Sequence, residues 1–124
     1  MTPEAFNEVV HRRQAETIRV LANKATEYAS GQDRLHNFKR AALMQDVTPE
    51  TALVGMLCKH LVSVFDMVNE LEIDIMHPLD RWDEKLGDAI NYLHLLEALV
   101  CERYPNQAEG LIERAEPIPG EWGL

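Results

Sequence analysis

The chain has 124 residues, 46% of them hydrophobic and 27% charged, with a formal net charge of −9. One domain of this length buries roughly two thirds of its unfolded surface, so no disulfide staple is required. The balance of 12 Lys and Arg against 21 Asp and Glu disfavours direct binding to DNA or RNA, which relies on cations neutralising phosphates, and leaves a small anionic ligand bridged by a divalent cation as the compatible kind.

The opening stretch "MTPEAFNEVVHRR" is amphipathic and charged and does not read as a signal peptide. A first helix is expected from about Pro3 to Ala29, with Thr2 as N-cap, Pro3 in the first turn and Gly31 beyond its end. Phe6, Val9, Val10, Ile18, Leu21, Ala22 and Ala25 form its apolar stripe. "SGQD" is a turn, and a second helix follows over about Arg34 to Met44, with Asp33 as N-cap. After "DVTPET", Thr48 caps a long third helix that runs from Pro49 to about Ile73. Pro78 breaks the chain again. A fourth helix spans about Leu79 to Arg103, where Pro105 stops it. A short helix near Gln107 to Arg114 and an extended tail, "EPIPGEWGL", complete the chain.

No segment alternates with period two for long enough to make a strand. The expected fold is therefore all-α: an antiparallel bundle of four to five helices, with one helical domain over 1–115 and an extended tail over 116–124. Cys58 and Cys101 lie in apolar helical runs without a spacing motif and read as core thiols of a reducing compartment. No run approaches 18 uncharged apolar residues, so no membrane span and a cytoplasmic location are expected.

Two helices carry polar stripes inside apolar surrounds. On the third, Lys59, Ser63, Asp66 and Glu70 share one face, with His60 beside it. On the fourth, Glu84, Asp88 and Asn91 share another. Three readings compete: a solvated face, internal hydrogen bonding without a ligand, and a small polar chamber where the stripes meet. Bundle cores are where helical proteins build carboxylate metal sites. A zinc site built on His60 and His94 lacks the required spacing. Trp82 and Tyr92 read as packing residues, although Tyr92 is also suited to stacking on a base. Ser63 lacks a His-Asp arrangement for serine hydrolysis.

Three blocks, "KATEYASGQDRLHNFKRAA" (24–42), "GMLCKHLVSVFDMVNEL" (55–71) and "WDEKLGDAINYLHLLEAL" (82–99), resemble the nucleotide-modification-associated domain family. These are small helical proteins common in bacteriophages and related to the MazG-like all-α nucleoside triphosphate pyrophosphohydrolases. The resemblance covers about residues 20 to 103. It implies a MazG-like fold and a magnesium-dependent hydrolase that cleaves a nucleoside triphosphate between its α and β phosphates, giving monophosphate and pyrophosphate.

The wider group carries Glu-Glu-x-x-Glu on one helix and Glu-x-x-Asp on the next. This chain departs from both, with Lys59, His60 and Asp66 on the third helix and Glu84-x-x-x-Asp88 on the fourth. On the resemblance, Asp66, Glu84 and Asp88 are the metal ligands for Mg2+, and together with Lys59 they are the catalytic candidates. Lys24, Tyr28, Arg34, Asn37, His60 and Asn91 are the candidates for holding the nucleotide, and Phe38 is a further candidate for selecting base or sugar. The alternatives are a non-catalytic nucleotide-binding or oligomeric accessory protein in phage nucleotide or DNA modification or counter-defence, and a purely structural helical oligomer. The apolar circumference of the two long helices leads to an expected homodimer or larger homo-oligomer.

Overall fold

Helix starts are chemically marked. In a computed structural model, which describes residues 1–22 and 33–115, Thr2 Oγ1 accepts from the Ala5 N–H at 3.1 Å and Thr48 Oγ1 accepts from the Thr51 N–H at 3.2 Å. Pro3 and Pro49 come next, where the missing N–H would have had no helical partner in any case. The helices are α1 (Pro3–Leu21), α2 (His36–Gln45), α3 (Pro49–Leu71), α4 (Leu79–Arg103) and α5 (Pro105–Glu113). Among the described residues no strand occurs, and the fold is all-α as expected. The expected continuation of α1 to Ala29, Gly31 and the tail over 116–124 lie outside the described residues.

Two boundaries differ from expectation. Asp33 does not start α2, whose N-cap is Leu35 and has no side-chain cap. Leu35 is buried, and its carbonyl accepts from the Phe38 and Lys39 N–H groups. Core burial of this leucine, and not the polar cap signal two residues earlier, decides where the turn tightens into helix. At Pro105 the chain both ends α4 and begins α5, since proline is as suited to a first helical turn as it is damaging to an interior one.

Two aspartates close helices in the left-handed region. Asp46 has φ 55° and Asp74 has φ 61°. Val47 N–H reaches Ala42 C=O at 3.0 Å, and Ile75 N–H reaches Glu70 C=O at 2.9 Å, while Asp46 and Asp74 donate to Leu43 and Leu71. This is the Schellman pattern with aspartate where glycine is usual; short polar side chains tolerate the conformation.

The chain forms two compact units. One contains α1 and α5, with Arg34, whose Nη2 donates to the Leu21 carbonyl at 3.4 Å. The other is Leu35–Tyr104, holding α2, α3 and α4. Within it α3 packs against both α4 and α2. Leu35 and Phe38 of α2, Leu53 of α3 and Leu99 of α4 form the buried cluster, with Met56, Tyr92, Leu95 and Leu96 packed around it.

Helices α3 and α4 run antiparallel, as their short connection requires. Polar contacts track the whole length of the pair. At one end Arg103 donates from Nε and Nη2 to the two carboxylate oxygens of Glu50, both at 2.7 Å. Near the middle His60 meets Asp88. At the far end His77 contacts Glu70, closing the α3–α4 turn. Lys39 of α2 reaches Glu102 of α4 at 2.9 Å.

The Glu50–Arg103 pair has a pH signature. The guanidinium hydrogen bonds hold the Glu50 carboxyl below its ordinary value of 4.5, and a depressed folded-state value stabilises the fold above the unfolded value and ceases to do so as the pH falls through the folded one. The wild-type melting temperature is therefore expected to fall below about pH 4.5 more steeply than that of Arg103→Gln, with the two curves parallel above pH 6 or so. The effect is modest because Arg103 is half exposed. Identical acid limbs in thermal melts of the two proteins would rule it out.

Candidate functional site

The residues of α3 that reach α4 follow from helical geometry. Leu53, Leu57 and Met67 are buried and define the inward face. His60 lies close to that face by the helical repeat, whereas Lys59 and Asp66 lie about a quarter turn or more away. Accordingly His60 is half-buried and Lys59 and Asp66 are exposed. Ser63 hydrogen-bonds the Lys59 carbonyl at 3.2 Å, and Glu70 is taken up by His77.

On α4 the core-facing side is lined by Tyr92, Leu95, Leu96 and Leu99. Asp88, one turn before Tyr92, has a side chain 39% exposed, and Glu84 a further turn back is 65% exposed. Asn91 is half-buried. Glu84 lies 3.9 Å from Lys85. The expected chamber of facing carboxylates is thus corrected: among the described residues no polar or charged residue is buried, because the apolar residues already fill the α3–α4 contact and push the stripes to its flank.

A different cluster joins the helices there. His60 Nδ1 lies 3.6 Å from Asp88 Oδ2, too long for a hydrogen bond but close enough for Coulomb attraction when the imidazole is protonated. The imidazole also stacks on Tyr92, with ring centroids 4.7 Å apart and planes tilted by 30°. Tyr92 is held from behind by Phe38, edge to face at 6.3 Å. Aromatic pairs of these geometries add stabilisation beyond simple burial. A ladder of Phe38, Tyr92, His60 and Asp88 therefore runs from α2 to α4, crosses to α3 at His60 and returns to α4 at Asp88. It ends in a carboxylate open to solvent.

The chain matches no protein-family model, no curated protein and no solved structure.

Of the sequence-nominated residues, the structure brings together His60 and Asp88, with Asn91 adjacent to Tyr92 in the chain. It does not gather Asp66, Glu84 and Asp88: among the described residues no group of three or more His, Cys, Asp or Glu side chains could hold a metal ion. Asn37 is exposed in the first turn of α2. Arg34 belongs with α1, and Lys24 and Tyr28 lie outside the described residues. Tyr92, read as packing, packs against both Phe38 and His60. Its spacing of four from Asp88 already placed the two side chains on one face.

Proposed function

We propose that this chain binds a nucleotide beside the His60–Asp88–Tyr92 cluster and acts as a nucleoside triphosphate pyrophosphohydrolase-like protein. The observation that carries the reading is the open Asp88 carboxylate 3.6 Å from an imidazole that is itself stacked on Tyr92. An imidazole fixed by an aromatic ring and a carboxylate is suited to taking a proton from water. In the proposed reaction a water oxygen forms a bond to the α-phosphorus and the bond from that phosphorus to the bridging oxygen breaks. Pyrophosphate leaves with the electron pair, and the water proton passes to His60. Lys59, the residue before His60, is the candidate for meeting phosphate charge, and Asn91, the residue before Tyr92, for meeting the base or sugar.

Magnesium is commonly held by one or two carboxylates plus substrate phosphates, and Asp88 with Glu84 one turn before it meets that minimum. When bound it would supply charge neutralisation at the phosphates. Asp66 is not part of this set.

A second reading is favoured by the absence of a three-carboxylate group among the described residues: the chain binds a nucleotide without cleaving it, as an accessory protein. One experiment separates the two. Each ribo- and deoxyribonucleoside triphosphate is incubated with the protein and magnesium, and monophosphate and pyrophosphate are measured. Matching amounts of both products support hydrolysis. Heat of binding for a non-hydrolysable analogue without any product supports the accessory reading. Neither product nor binding would end both.

A further inference from the structure

The outer side of α3 is open and apolar. Val54, Val62, Phe65 and Val68 are between 41% and 60% exposed, and Cys58, expected in the core, is exposed as well. Its position explains the correction, because Val54, Cys58, Leu61, Phe65 and Val68 recur at spacings of four and three residues, the seam pattern of one helix packed on another. By the helical repeat the seam centres about a quarter turn from Leu53 and farther from Met67, and no charged residue interrupts it. Beside it, a Cβ added at Gly55 would meet nothing within 4 Å.

We infer that this seam is a two-fold interface with a second copy of the chain, the two α3 helices running antiparallel about Leu61. Two observations select that occupant. First, the pattern is nearly palindromic. Val54 and Val68 stand seven residues either side of Leu61, while the small Cys58 lies three before it and the large Phe65 four after. An antiparallel two-fold therefore sets Val54 against Val68 of the other copy and the small residue against the large one. A self-complementary interface requires that reciprocity, and alternating sizes let layers interlock. Second, a chain of net charge −9 meets its own copy with least repulsion through a charge-free face.

The seam is independent of the nucleotide reading, because none of its residues belongs to the His60–Asp88–Tyr92 cluster. Helix α3 is also, among the described residues, the one helix long and apolar enough to cross a membrane by length and composition, so the test includes that outcome.

Light scattering of the full chain at micromolar concentration is expected to give twice the 14.2 kDa of one copy. Phe65→Asp should weaken self-association by about 30-fold or more, as loss of an interface hot spot does, with helicity by circular dichroism unchanged. The register is tested in a Cys58→Ala, Cys101→Ala background. Leu61→Cys places a thiol on the two-fold, and mild oxidation should give a covalent dimer. Val54→Cys should give none, since its two thiols would lie about 21 Å apart along antiparallel helices. Crosslinking through both positions would mean a parallel pair and overturn the arrangement. A monomer in light scattering, or co-flotation of the wild type with phosphatidylcholine vesicles, would overturn the interface itself.

Discussion

Leu53→Ala is expected to lower unfolding free energy by about 3 kcal/mol, within the range of roughly 2–5 kcal/mol seen for buried leucines. Leu53 is 0% exposed. It sits where α2, α3 and α4 meet, among Leu35, Phe38 and Leu99. Truncation removes apolar contact with all three and leaves a cavity whose walls are held by separate helices. Collapse of that cavity would require α2 and α4 to move together, so little of the loss is recovered. The buried hydrophobic set of the described residues is small, only nine side chains, four of them in this cluster. A loss of this size is therefore a large part of the 5–15 kcal/mol typical of a whole domain.

Urea unfolding at one fixed protein concentration measures the effect, because self-association would otherwise move the midpoint. The midpoint should fall with the slope unchanged. Leu79→Ala, at a leucine 81% exposed in the first turn of α4, is the internal control and should change stability by less than about 0.5 kcal/mol. Equal effects at the two positions would mean that the Leu53 cluster is not the core of this unit.

Much of this architecture is legible in the sequence because it is written in local chemistry. Thr48-Pro49 and Pro78 together with Pro105 bound α3 and α4 through steric and hydrogen-bonding rules that act within a turn. The starts and ends that are harder to read depend on tertiary packing or on unusual residues. Leu35 overrides Asp33 because its side chain joins a core assembled from three helices. Asp46 and Asp74 close their helices in a conformation for which glycine is the usual signal, so no composition cue marks them.

The polar stripes show the same division. Spacing correctly places Glu84, Asp88 and Asn91 near one another on α4, but periodicity carries no absolute phase. Which side of the stripe meets α3 is set by the volume of Leu53, Leu57 and Met67, and these rotate His60 inward and Lys59 outward. The apolar residues of α3 wrap most of its circumference, and one chain supplies partners for only part of it. That surplus is what makes a homo-oligomer the expectation from sequence. In the structure Val54, Val62, Phe65 and Val68 stay exposed on α3.

Asp88→Asn is expected to reduce nucleotide turnover by about 100-fold or more, the scale of contribution that positioned proton-transfer groups make. The substitution keeps the size and shape of the side chain and removes its charge. It takes away the Coulomb partner of the His60 imidazole at 3.6 Å and one of the two α4 carboxylates nearest that cluster. Neither residue is buried, so melting temperature and helicity should barely move, and lost turnover would then report chemistry in place of unfolding. Glu84→Gln serves as the graded comparison, because a side chain 65% exposed and farther along α4 from Tyr92 should cost less.

His60→Gln supplies the readout that a merely structural role would not move. If the imidazole takes the proton, the variant loses the acid limb of the pH–rate profile and retains nucleotide binding by calorimetry. Full turnover in Asp88→Asn, with an unaltered pH profile in His60→Gln, would place the chemistry outside this cluster. Reduced binding in Asp88→Asn from a wild type that releases no pyrophosphate would instead keep the site and discard the hydrolysis. In that case the open carboxylate is a recognition element for a nucleotide or its bound cation, and the aromatic ladder behind it serves to hold α2, α3 and α4 in register around that ligand.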